Sequence, residues 1–86
     1  MSSSSRHIKE EINRLIDQVS QLTEIQVVRS AYIMEHGRRI LRVTITGPGG
    51  VTLDMCETFS RALSEMLDRE DMIEEKYYLE VESPGI

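Results

Sequence analysis

Hydrophobic residues in the first quarter of the chain recur at steps of three and four positions, with charged and amide side chains in the gaps. This spacing collects the apolar side chains on one stripe of an α-helix. The predicted stripe is Ile8, Ile12, Leu15, Ile16, Val19 and Leu22. Ser4 or Ser5 is the expected N-cap, because a serine hydroxyl accepts a hydrogen bond from a free backbone N–H of the first turn. Residues 1–5 are predicted to be a disordered start.

The pattern then changes to runs rich in β-branched residues, over residues 25–34 and again over residues 40–46. Both runs predict β-strands, and the short turn His36-Gly37 between them predicts an antiparallel hairpin. Side chains of the second strand alternate between two faces. One face is predicted to carry Leu41, Val43 and Ile45, and the opposite face Ile40, Arg42 and Thr44.

The segment Gly47-Pro48-Gly49-Gly50 predicts a loop, since proline lacks a backbone donor and glycine tolerates positive φ. A second helix should follow, with Thr52 as its N-cap and an end near Asp68. Its predicted buried stripe is Leu53, Cys56, Phe59, Leu63 and Leu67.

The charged residues 69–76 are predicted to form a loop. Tyr77, Leu79 and Val81 alternate with Tyr78, Glu80 and Glu82, which predicts a third strand. The element order is therefore αββαβ. It indicates a single α+β domain in which two helices pack on one face of a three-stranded sheet.

Charge is distributed unevenly along this 86-residue chain of net charge −5. Residues 1–50 carry seven basic and five acidic side chains, whereas residues 51–86 carry three and ten, giving net charges of +2 and −7. The acidic half would suit a basic protein partner and repel nucleic-acid phosphates. The alternative interpretation is that these carboxylates only keep the surface solvated.

Candidate catalytic groups are few. His7 and His36 are the two histidines, at the chain start and the hairpin turn, and Cys56 is the single cysteine. Cys56 lies on the apolar stripe of the second helix, where it should pack as a small hydrophobe. The sequence therefore predicts a protein that is not an enzyme, with no cofactor, no metal and no small-molecule substrate. No apolar run suits a signal peptide or membrane span, so we expect a cytoplasmic protein that does not bind membranes.

Two segments could bind a partner. The Gly47–Gly50 loop precedes a helix and could hold a phosphate with backbone N–H groups, or it is a structural turn. It fits the GxxG pattern of KH domains, but it joins a strand to a helix, whereas the KH loop joins two helices.

The second segment is the group of hairpin arginines, Arg38, Arg39 and Arg42, with Arg29 across the hairpin. They could contact RNA phosphates or an acidic protein, or they could be solubilising residues on an edge of the sheet.

Residues 37–86 resemble the amino-terminal domain of the RimP family, and the likeness extends more weakly over the first helix and strand. The motifs that carry it are Leu41-Arg42-Val43, Gly49-Gly50-Val51-Thr52-Leu53-Asp54 with Cys56, Ser60-Arg61 with Leu63-Ser64, Leu67-Asp68, and Tyr77, Glu80-Val81 and Ser83-Pro84-Gly85.

This resemblance implies a KH-like αββαβ domain, here residues 6–86, that binds the immature small ribosomal subunit near the decoding region. The implied partners are a basic ribosomal protein and rRNA. The candidate partner-binding residues are Arg38, Arg39, Arg42, Gly49, Gly50, Asp54, Ser83, Pro84 and Gly85. A stand-alone KH-like RNA-binding domain is the alternative function.

The chain departs from the family pattern at Thr46 and Met55, where acidic residues are usual, and at Glu82, where serine is usual. Because position 55 is methionine and not an acidic residue, its side chain cannot accept a hydrogen bond from the N-cap backbone. The reciprocal cap of the second helix is therefore missing. The family's carboxyl-terminal β-barrel domain is also absent from this sequence. We therefore expect either a piece of a longer protein or a one-domain relative.

Overall fold

A computed structural model describes residues 2–71 and 73–84, with side chains described from His7 onward. The elements are α1 (Ser2–Thr23), β1 (Gln26–Glu35), β2 (Arg38–Thr46), α2 (Leu53–Glu70) and β3 (Tyr77–Glu82). The predicted αββαβ order and the α+β class are confirmed.

Helix α1 begins earlier than the sequence predicted. Its backbone is helical from Ser2, so Ser4 and Ser5 lie inside the helix instead of capping it. Adding a residue to an existing helix costs much less than nucleating one, and the serine run extends a strongly amphipathic segment. Residues 2–5 of the predicted disordered start are therefore helical in this structure.

The end of α1 places one predicted core residue in solvent. Leu22 is 74% exposed, because the helix ends at Thr23 and the chain turns at Glu24 with φ +60°. Ile25, directly after the turn, is buried instead. The Ser20 hydroxyl donates a hydrogen bond of 2.6 Å to the Ile25 carbonyl and fixes this turn.

The sheet has the order β1-β2-β3, with β2 in the centre. Strands β1 and β2 form the predicted antiparallel hairpin, and β3 pairs parallel to β2. A parallel neighbour needs a crossover connection, and α2 provides it. The β1–β2 register shifts between Val27 and Arg29, so Val28 lies at a bulge on the edge strand and is exposed.

Both helices pack on one face of the sheet and on each other. The central strand contributes Leu41, Val43 and Ile45, all 1% exposed or less. The helical side chains facing them are Ile12, Leu15, Ile16 and Val19 of α1 and Phe59, Leu63 and Leu67 of α2. Cys56 is half-buried against this core, as predicted.

Helix α2 differs from the prediction at both ends. Leu53 is 73% exposed, because six residues at about 100° each place it about 120° around the helix from Phe59. The helix also continues two residues past Asp68, to Glu70. Asp71 then takes a left-handed conformation at φ +51°, and its N–H donates to the Leu67 carbonyl.

Candidate functional site

The face of the sheet opposite the helices, which we call the open face, is formed by side chains from all three strands. The strand registers arrange these side chains in rows across the sheet. The rows are Ile33, Ile40 and Tyr78; Ala31, Arg42 and Glu80; and Arg29, Thr44 and Glu82. As predicted from alternation, Arg38, Ile40 and Arg42 share this face, and Arg29 also lies on it.

Arg42 lies between two carboxylates in the middle of the open face. Its Nε donates to Glu80 Oε1 at 3.0 Å, and its Nη2 donates to Glu35 Oε1 at 3.3 Å. The hydrogen bonds from Glu80 and then Glu35 raise the pKa of the Arg42 guanidinium. Its positive charge is therefore already matched, and a phosphate there would have to compete with two carboxylates.

The neighbouring row contains a buried polar group. Thr44 is 3% exposed although no helix covers it, and its hydroxyl donates to Glu82 Oε2 at 3.1 Å. Such a hydroxyl needs a partner, because burying it unpaired would cost about 1–3 kcal/mol. Glu82, one of the departures from the family pattern, supplies that partner.

Arg39 lies on the other face of β2 and faces the connection between α2 and β3. Its Nε is 3.5 Å from Glu75 Oε1, and its guanidinium carbon is 5.8 Å from the centre of the Tyr32 ring. The Tyr32 hydroxyl donates to the same Glu75 oxygen at 3.0 Å. Burial, followed by this hydrogen bond, raises the pKa of Tyr32 to about 12. The hairpin arginines, which the sequence grouped together, thus lie on two faces of the sheet.

A hollow of about 360 Å³ lies where the hairpin turn meets the start of β3. We call it the hairpin hollow and define it by Met34, Arg38, Arg39, Glu75, Lys76 and Tyr78. Arg38 and Lys76 each lie over the Tyr78 ring, at 5.3 Å and 5.7 Å from its centre. Within residues 2–71 and 73–84, neither of these two cations forms an ion pair.

The Gly47–Gly50 loop is closed by its own hydrogen bond. The Gly50 N–H donates to the Gly47 carbonyl at 3.0 Å, and Gly49 and Gly50 have φ of +79° and +97°. With proline second and a positive-φ glycine third, this is the pattern of a type II turn. The positive φ angles explain why glycine is needed at both positions. The role of Gly49 and Gly50 in partner binding stays a prediction.

Helix α2 follows this loop, and its N-terminus has one of the two hydrogen bonds of a reciprocal cap. The Thr52 side chain accepts a hydrogen bond of 3.2 Å from the Met55 N–H, which confirms the predicted N-cap. The Met55 side chain offers no carboxylate in return. Asp54 is exposed in the first turn, where its charge complements the helix dipole.

The candidate partner-binding residues therefore fall into two groups. Arg38 and Arg39 start β2 and Arg42 lies at its middle, whereas Gly49, Gly50 and Asp54 follow its end. Because β3 runs parallel to β2, Ser83 and Pro84 lie beyond the same end as the glycines. At about 3.3 Å per residue, the eight steps along β2 separate the two ends by roughly 26 Å. Gly85 lies outside the described residues.

Among the residues described, no group of three or more His, Cys, Asp and Glu side chains could hold a metal ion. In the same part of the chain, no helix is long and apolar enough to cross a membrane.

The family described as the RimP N-terminal domain matches residues 15–86. The chain belongs to the RimP family. This is a family of ribosome maturation factors, and the resemblance identified from the motifs is confirmed. The match begins at Leu15, within α1, so it covers the whole sheet and both groups of candidate residues.

Four charged or aromatic residues of this RimP domain were missed as site candidates by sequence reasoning. Glu80 and Glu35 flank Arg42, and Lys76 and Tyr78 build the hairpin hollow. The alternation over residues 77–82 indicated that Tyr78 and Glu80 share a face. It could not indicate which β2 residues lie beside them, because that depends on the register of a parallel pair distant in sequence.

Proposed function

We propose that this chain is a ribosome maturation factor domain that binds the immature small ribosomal subunit during its assembly. The observation that carries the proposal is the RimP match over residues 15–86. The domain acts in the cytoplasm, by binding and without a cofactor. Its partners are a basic ribosomal protein near the decoding region and rRNA.

A binding role without catalysis is supported by where the reactive side chains lie. His7 and His36 are exposed on separate elements, the first helix and the hairpin turn. Cys56 packs half-buried against the core. A reaction needs a nucleophile, base and acid held in fixed mutual geometry, and these three side chains do not provide it.

An acidic surface for the basic protein is supported by α2 and the segment after it. The exposed carboxylates there are Asp54, Glu57, Glu65, Asp68, Glu70, Asp71, Glu74 and Glu75. Two of them are paired, Glu57 with Arg61 at 3.0 Å and Glu75 with Arg39 at 3.5 Å. Opposite surface charges accelerate and orient protein association, so this side suits a cationic partner.

Co-sedimentation with immature small subunits at low and high salt tests the proposal, with mature subunits as the control particle. We expect the chain to sediment with the immature particles and to leave them as salt rises, because both contacts are electrostatic. Equal sedimentation with both particles, or none with either, would refute the proposal.

The rival function, a stand-alone KH-like RNA-binding domain, predicts a different result. The chain would bind short RNA at micromolar concentration with a steep salt dependence, and it would ignore the basic ribosomal protein. The closed turn at Gly47–Gly50 favours the maturation factor, since the loop joins β2 to α2 and its glycines are explained by the turn itself.

A further inference from the structure

The hairpin hollow has an excess of positive charge in a protein of net charge −5. Three cationic side chains line it, Arg38, Arg39 and Lys76, against one carboxylate, Glu75. Glu75 is already engaged by Arg39 and by the Tyr32 hydroxyl. Arg38 and Lys76 therefore remain to attract an anion.

The same hollow presents an aromatic ring. Tyr78 is 40% exposed, and its register partner Ile40 is buried beside it on the open face. Arg38 and Lys76 lie 5.3 Å and 5.7 Å from the ring centre, so the two charges are held next to an aromatic surface. Met34, 56% exposed, adds apolar surface to the rim.

Single-stranded RNA is recognised by this combination of groups. Unstacked bases stack on aromatic rings and on arginine guanidinium planes, while neighbouring cations bind the phosphates. The hollow, at about 360 Å³, is within the range of about 300–1,000 Å³ typical of small-ligand sites. An acidic peptide would bind the cations but would add no contact to the exposed parts of the Tyr78 ring and of Met34.

We propose that the hairpin hollow binds one unpaired nucleotide of RNA, with the base stacked at Tyr78 and the phosphate held between Arg38 and Lys76. This site deepens the proposed function and rests on it, because it assigns the rRNA contact to one end of the sheet. Arg42, matched by Glu35 and Glu80, is not part of it.

Fluorescence anisotropy of a labelled single-stranded RNA oligonucleotide tests the site, with the duplex of the same sequence as the control ligand. Tyr78→Ala should weaken binding about 5- to 150-fold, the range expected for losing one stacked base. Tyr78→Phe keeps the ring and should bind within about twofold of wild type. Because Arg38 and Lys76 share one phosphate, replacing both with glutamine should reduce the salt slope by about 0.7, and neither single substitution should reduce it by more.

Arg61→Gln is the matched control, because it removes one positive charge from an exposed position of α2 outside the hollow. It should leave the affinity and the salt slope unchanged. Thermal denaturation of every variant checks folding, and Tyr78→Leu replaces Tyr78→Ala if the alanine variant is unfolded.

Three outcomes would overturn the site. Tyr78→Ala would bind the oligonucleotide as tightly as wild type, or Arg61→Gln would weaken binding as much as Arg38→Gln does. In the third outcome, polyglutamate, which represents an acidic peptide, would displace the RNA equally well from Tyr78→Ala and from wild type.

Co-sedimentation separates failure of the site from failure of the proposed function. If Tyr78→Ala sediments with immature subunits like wild type, the hollow is refuted and the maturation factor stands. If the oligonucleotide needs Tyr78 but wild type does not bind the particle, the hollow stands and the maturation factor is refuted.

Discussion

Replacing Phe59 with alanine tests whether the two helices and the sheet share one core. Phe59 is 0% exposed in α2 and belongs to the cluster that joins both helices to β2. Losing a buried aromatic side chain costs about 3–5 kcal/mol. A folded chain of 86 residues is stable by roughly 4–13 kcal/mol. The substitution should therefore remove a large part of the stability.

Urea denaturation followed by far-UV circular dichroism measures this loss. With an m-value of about 1.5 kcal/mol per M, a loss of about 3 kcal/mol lowers the midpoint by about 2 M. Leu53→Ala is the matched control, because Leu53 is in the same helix but is 73% exposed. It should cost within about 0.5 kcal/mol. Equal shifts for both variants, or less than about 1 kcal/mol for Phe59→Ala, would refute the packing described here.

Three further predictions concern the surface and the caps. Replacing Arg38, Arg39 and Arg42 with glutamine should weaken co-sedimentation with immature subunits, and unchanged sedimentation would assign them to solubility. Arg38 is the exposed member of the three, so Arg38→Gln alone should cost within about 0.5 kcal/mol in thermal denaturation. Thr52→Ala should lower stability by about 1 kcal/mol through loss of its cap, measured in urea against the exposed mid-helix control Thr58→Ala. Because the pKa of Tyr32 is raised to about 12 from about 10, the fold should lose stability as pH rises between these values. Tyr32→Phe should reduce that loss in pH-dependent denaturation, and an identical pH profile would contradict the assignment.

Glutamine is the informative replacement for the arginines, because charge reversal would create new repulsion. A glutamate at position 42 would face Glu35 and Glu80, and one at position 39 would face Glu75. Like charges placed directly across neighbouring strands are destabilising. Reversal would therefore mix a loss of binding with a loss of stability.

The elements of the fold could be predicted because their signals are local. Periodicity alone indicated both helices and all three strands, and Thr52 was recognised as a cap from its place before an apolar run. The residues that failed, Leu22 and Leu53, lie in the terminal turns of their helices. At the end of α1 the helix no longer covers the sheet, and in α2 two successive three-residue steps place Leu53 about 120° around the helix from Phe59.

The electrostatics of the site could not be predicted, because they depend on partners distant in sequence. Arg42 meets Glu80 only through the parallel register of β2 and β3, and Arg39 meets Glu75 only through the return from α2. Sequence alone therefore treated the hairpin arginines as one positive cluster. In the structure two of them are paired with carboxylates, and Arg38 is left beside Tyr78 and Lys76.

This division has a consequence for how the domain would approach an assembling particle. The acidic side chains of α2 repel RNA, and the carboxylates around Arg42 reduce the attraction of the central open face. The hairpin hollow presents three cationic side chains against one carboxylate, in a molecule of negative net charge. On the proposed function, such a charge distribution would orient the chain with its hairpin toward rRNA and its α2 side toward a basic protein. Orientation by charge would then be as important for correct docking as the affinity of either contact.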